Sequence, residues 1–254
     1  MVWCDKLAST PGIGLTFDAR LIPSASILAA LAPVFEKWVL GENDKLEFTV
    51  DRLDPFSLQV TSYTGYQYGV THSRLAVEFV HRMKLRPTSA GPPVAELTSQ
   101  PLPFTTLIPE ISKRLVESTM LLPEIKTRKV KRIGIISTTA LDEAIMPPGI
   151  ARFVKYMGRP WQGAVEDYHF VITSELRRDS QSIDKCIHTL RKPADPDQLP
   201  SLRFDWQRWL DPSQPVQVEL LETLLRDAEK SAMMYFEELA EGNRFDEDLL
   251  RSAT

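Results

Sequence analysis

Short alternations of apolar and polar residues, each closed by a turn or a helix signal, govern what this chain can fold into. Leu15, Phe17, Ala19 and Leu21 alternate with Thr16, Asp18 and Arg20, the two-residue period of a strand with one buried face. Leu46, Phe48 and Val50 repeat it, then Leu58 and Val60, then Tyr66, Tyr68 and Val70 after a turn at Thr64-Gly65, then Leu75, Val77 and Phe79. Spacings this short leave room for hairpins and predict an antiparallel meander. One helix interrupts it. After Pro23-Ser24, the residues Ile27, Leu28, Leu31, Val34, Phe35 and Trp38 share a face, and Gly41-Glu42-Asn43-Asp44 ends the run.

Residues 86 to 103 are rich in Pro, Ser, Thr and Gly and read as an ordered crossing or linker, the best candidate boundary. A second helix is predicted from Phe104 to Leu121. The second half then repeats the order of the first. Val130, Ile133, Ile135 and Ile136 read as a strand buried on both faces, and Ile150, Phe153, Val154 and Met157 as a short helix. Strands follow around Tyr168 to Ile172, Ile183 to Leu190 and Leu202 to Trp206, then a long helix through Leu221, Leu225, Tyr235 and Leu239. The acidic end, Phe245 to Thr254, reads as a short helix or a tail.

The order β-α-β-β-β-β-α followed by β-α-β-β-β-α predicts an α+β fold of two similar units, residues 1–100 and 101–254, packed as one body. Both are antiparallel, with helices on one face. This order is similar to the duplicated TATA-binding-protein fold, a likeness of topology that does not fix function.

Hydrophobic residues make up 43% of the 254, enough for a core that needs no metal or disulfide to hold it. The net charge of -4 and a pI near 5.7 argue against a general nucleic-acid or membrane adsorber. Cys4 and Cys186 stand alone, without disulfide or metal spacing. No basic-then-apolar leader and no long apolar run is present, so a soluble protein of the reducing cytoplasm is expected, with no membrane partner.

Chemistry-bearing patterns are sparse. The basic run Lys126, Arg128, Lys129, Lys131 and Arg132 is the strongest charge cluster and a candidate phosphate-backbone contact. Trp206 and Trp209 lie among Arg203, Gln207 and Arg208. Alternation puts Arg203, Asp205, Gln207 and Trp209 on one strand face, away from Leu202, Phe204 and Trp206. Arg203, Gln207 and Trp209 are therefore a candidate protein interface, unless the last helix covers Trp209. The acidic residues of that helix, Glu237, Glu238 and Glu241, read as a solvated face. Glu166, Asp167 and His169 are a candidate for an unfamiliar reaction site, although none of the four histidines shows a metal-binding spacing. Gly12-Ile13-Gly14 lacks the rest of a phosphate loop. No cofactor and no metal is expected.

Lys131-Arg132-Ile133-Gly134-Ile135-Ile136, Phe204-Asp205-Trp206 and the late helix with Tyr235-Phe236 resemble a sporadically distributed family of uncharacterised bacterial proteins of similar length. The resemblance implies a bacterial protein, associated with mobile elements or antiviral defence, and brings no catalytic residue with it. The expectation is a non-catalytic binding or assembly protein, an accessory subunit of a defence or regulatory system, with a protein partner or self-association. The alternatives are a nucleic-acid-associated protein or nuclease using the 126–132 loop, and an enzyme working near Glu166, Asp167 and His169.

Overall fold

The first alternation becomes β1 (Thr10–Phe17), preceded by a short helix α1 (Trp3–Leu7) and followed by α2 (Ser24–Val39). The meander supplies β2 (Phe48–Asp54), β3 (Ser57–Ser62), β4 (Tyr66–Thr71) and β5 (Arg74–Phe79). A hairpin of β6 (Met83–Thr88) and β7 (Gly91–Leu97) leads to α3 (Phe104–Leu121). The second half adds β8 (Lys129–Ala140), α4 (Pro148–Gly158), β9 (Tyr168–Arg177), β10 (Ser182–Lys192), β11 (Ser201–Pro215) and α5 (Val218–Glu241). This computed structural model describes every residue except 1, 8–9, 22–23, 40–47, 89–90, 98, 100, 143–144, 159–164, 196 and 246–254, together with the side chains of 24, 35–39, 84 and 86. The helix stop at Gly41 to Asp44, the position of Leu46, the faces of Phe35 and Trp38, and nearly all of the acidic end therefore lie outside the described residues.

The strands of both halves join edge to edge in one antiparallel sheet of nine, ordered β2-β3-β4-β5-β1-β8-β11-β10-β9, while among the described residues β6 and β7 pair only with each other. The seam is β1 against β8, with Ile13 opposite Ile135 and Gly14 opposite Gly134. In each half the opening strand is central and the last strand lies beside it, but the halves are unequal in strand number.

All the helices lie against one face, because alternate residues of the strands present a continuous apolar surface there. Ile13 and Leu15 face Val77 and Leu75 on one side and Ile135 and Ile133 on the other, and all six are essentially inaccessible. Helix α3 lays Leu107, Ile108, Ile111 and Leu115 over β1 and β5. Helix α5 lays Leu221, Leu225, Ala228 and Ala232 over β8 and β11. This is the i, i+4, i+7 stripe that an amphipathic helix needs to close a core. The second half closes on itself where α4 meets the end of α5. Gly242 ends α5 at φ 95, a left-handed turn that glycine adopts freely. A Cβ on Gly149 would lie 2.5 Å from the Gly242 nitrogen, so a bare backbone there is required.

Several expectations change. β1 ends at Phe17, not Leu21: Asp18 turns away to donate its N–H to the Lys129 carbonyl. The Pro-rich stretch is partly a hairpin, whose prolines are tolerated because each strand, among the described residues, pairs on one side alone. β8 is fully buried on its helix side only: Ile136 on the opposite side is half-buried and Thr138 is exposed, because no described helix covers that face. Glu237 is not merely solvated. Its carboxylate accepts the backbone N–H groups of Trp3 and Cys4 at 2.9 and 2.8 Å and caps α1, while Glu238 pairs with Arg244 at 2.6 Å.

Candidate binding face

With all helices on one side, the other side of the sheet carries none among the described residues. Its centre is unusually low. Gly14 faces Gly134 across the seam and Ala76 on β5, and Gly69 faces Ala76 from β4. A Cβ on Gly134 would meet nothing nearer than 3.9 Å, and one on Gly69 nothing within 4 Å. Gly12 and Gly14 are different. Glu78 and Arg74, 3.6 Å apart, lie across them so closely that a Cβ at either would clash.

The groups singled out from sequence converge beside this shallow strip. Arg132 on β8 donates to Gln207 Oε1 at 3.2 Å and to Thr16 Oγ1 at 3.1 Å. Its guanidinium lies over the Trp209 ring at 5.0 Å, and Lys131 Nζ lies 5.9 Å from the same ring. The indole N–H of Trp209 donates to Gln207 Oε1, which thereby accepts from both neighbours. Gln207 completes its amide by donating to Asp205. A cation above an indole is held by the ring quadrupole, so Arg132 and Trp209 fix each other in place. Burial, and then the charge of Arg74, pulls the Arg132 guanidinium below its ordinary value. Helix α5 does not cover Trp209; it covers the face of Trp206.

The basic run does not act as one patch. Arg128 lies on a short 3-10 turn (Ile125–Thr127) and its exit, with a side chain 14% exposed and paired with Glu124 at 3.4 Å. Lys126 and Lys129 are exposed at the sheet margin, and only Lys131 and Arg132 reach the Trp209 cluster. Arg203 is exposed on the same face, opposite Thr138. The predicted protein-interface and nucleic-acid residues are thus partly one surface.

Glu166, Asp167 and His169 are all exposed, and none of them lines the cavity described below. Among the described residues no three His, Cys, Asp or Glu side chains are grouped to hold a metal.

The helix side holds what sequence reading missed. A cavity of about 410 Å³ lies between β9, β10 and α5, lined by Ser174, Arg178, Cys186, Trp206, Tyr235 and Arg244 among others. At its wall the Tyr235 hydroxyl lies 2.5 Å from Ser174 Oγ and 3.1 Å from His188 Nε2, while His188 Nδ1 lies 3.6 Å from Cys186 Sγ. The pair has the residue types of a thiol nucleophile and its base, but the wrong electrostatics. Burial pushes the Cys186 thiol well up, and pushes His188 down to about 4. A thiol held protonated beside an imidazole held neutral is the reverse of an activated Cys–His pair. The cluster is a polar girder of the core. Only the two-residue spacing of Cys186 and His188 on one strand could have signalled it. Comparison with protein-family models, curated proteins and solved structures gives no match.

Proposed function

We propose that the protein is a non-catalytic binding or assembly protein whose working surface is the helix-free face of its sheet. The observation that carries this reading is the Arg132–Gln207–Trp209 cluster, tied together in advance beside the bare backbone of Gly134. Such a cluster presents an aromatic and a guanidinium at low entropic cost, the residue types that dominate binding energy at interfaces. Gly134 and Gly69, on either side of the Arg74-covered Gly14, let a partner approach the backbone itself at two points. A role as accessory subunit of a bacterial defence or regulatory system rests on the resemblance of sequence alone. The test is co-purification from cells that express the protein naturally. Trp209→Ala combined with Arg132→Ala should leave the fold intact and remove the partner; retention of the partner would refute the surface assigned here.

A second reading, nucleic-acid association, is favoured by charge. Between β3 and β9 the helix-free face carries Arg74, Arg132, Arg177, Lys185, Arg191 and Arg203 against Glu78, Glu175 and Asp205, although the chain as a whole is at -4. Phosphate contacts would make retention fall steeply with salt. Lys129→Glu with Arg132→Glu should then weaken DNA or RNA retention and flatten that dependence, and no retention at low salt would remove this reading.

We also propose that residues 1–100 and 101–254 are duplicated units in a TATA-binding-protein-like arrangement. The support is the shared strand order, running outward from the β1–β8 seam in both directions.

A further inference from the structure

The two edges of the sheet are not alike. β2 carries a bulge between Val50 and Arg52 and the charges Asp51, Arg52 and Asp54, devices that discourage pairing of an edge. β9 has no bulge, and its two charged residues, Glu175 and Arg177, lie at its C-terminal end. It runs for ten residues, Tyr-His-Phe-Val-Ile-Thr-Ser-Glu-Leu-Arg, without Pro, Gly or Lys, and it pairs with β10 without a register shift. Among the described residues no strand pairs with its outer side. Val171, Ile172 and Leu176 are 57%, 37% and 51% exposed. An open, regular edge with apolar side chains is a template for another strand.

The geometry points to a second copy of this chain as that strand, giving a two-fold dimer in which β9 pairs antiparallel with β9 about Ile172. The charge order along the segment carries the argument. Glu166 and Asp167 stand at its start, Arg177 and Arg178 at its end, with His169 and Glu175 between. In an antiparallel pair about a two-fold axis normal to the sheet, directly opposite residues share a face. Centred on Ile172, this register sets Asp167 against Arg177 and His169 against Glu175 on the helix-free face, and Glu166 against Arg178 on the other. Val171 meets Thr173, Tyr168 meets Leu176, and Ile172 meets its own copy. The neighbouring registers fail. Centred on Thr173, Asp167 opposes Asp179 and His169 opposes Arg177; centred on Val171, Asp167 opposes Glu175. Glu175 also faces Lys185 within the chain, and Arg178 binds Asp227 and Ser231, so the Asp167–Arg177 pair is the one free to select the register. A pairing of this length spans about 33 Å and belongs with small interfaces of moderate affinity. This dimer is independent of the partner proposed for the sheet face.

Sedimentation equilibrium of the full chain tests it, with circular dichroism to confirm that each variant is folded. The wild type should be a monomer–dimer mixture in the micromolar range. Val171→Lys at the centre should abolish the dimer. Asp167→Arg and Arg177→Glu, each present twice, should weaken it about five-fold apiece, and the double variant D167R/R177E should restore it to within about two-fold of wild type. β9 amides should gain hydrogen-exchange protection as protein concentration rises. A chain monomeric at about 100 μM, a dimer indifferent to Val171→Lys, or a double variant no better than the singles would each overturn the proposal.

Discussion

Arg208 and Asp184 lie side by side on the helix-covered side of the sheet, Nε to Oδ1 at 2.7 Å and Nη2 to Oδ2 at 2.8 Å, with the Arg208 side chain 3% exposed. Asp227 and Ser231 of α5 accept two more of its N–H groups at 2.6 and 3.1 Å. One guanidinium thus joins β10, β11 and α5. The parallel double contact is the strong form of a charge-assisted hydrogen bond.

Removing one member of such a pair strands the other in the core. Asp184→Ala should cost about 3 kcal/mol in urea unfolding. Replacing both, D184L/R208M, should recover most of that loss, since two apolar side chains need no partner. A single-variant loss below about 1 kcal/mol would mean that Asp227 and Ser231 suffice.

His188 gives the protein a pH dependence of definite sign. Burial holds its folded value at about 4, against an ordinary value of 6.5. The unfolded chain therefore binds this proton first as the pH falls. The contribution is whole above pH 6.5, falls between 6.5 and about 4, and levels off below. Between pH 7 and pH 4 the wild type should lose roughly 3 kcal/mol more than His188→Gln. Parallel curves for the two proteins would contradict the assignment.

Strand alternation and helix periodicity made most of this architecture legible in the sequence, because each requires a buried face with a fixed repeat. Helix α3 is bounded at Phe104 and Leu121 as its apolar spacing predicts. The hairpin of β6 and β7 was hidden because Pro87, Gly91, Pro92 and Pro93 read as a loop, and the apolar residues it does carry, Met83, Leu85, Val94 and Leu97, stay exposed and do not join the core. Arg208 was hidden for another reason. It was grouped by neighbourhood with Trp209, yet its even position puts it on the core side, and no local pattern announces Asp184 and Asp227 as its partners. The face shared by Arg203, Gln207 and Trp209 followed from parity alone, but its union with Arg132 depends on β8 pairing with β11, a contact between distant segments.

Two glycines should respond in opposite ways. Gly149→Ala forces a Cβ into the Gly242 backbone and should cost about 2 kcal/mol or more in thermal unfolding. Gly134→Val adds a β-branched side chain on a strand where its Cβ meets the Trp206 carbonyl oxygen at an unstrained 3.9 Å. It should leave stability unchanged or raise it by up to about 1 kcal/mol, while blocking the shallow centre of the helix-free face. A stable Gly134→Val protein that still holds its partner would count against the binding surface.

Position-specific photo-cross-linking in cells that express the protein naturally tests the binding face most directly. A photoreactive side chain at Arg203 or Lys185, on the helix-free face, should yield a discrete adduct, and protease or nuclease sensitivity would identify it as protein or nucleic acid. The same group at Glu222 or Lys230, exposed on α5, should yield none. Adducts from the α5 positions, with none from the sheet, would contradict the account.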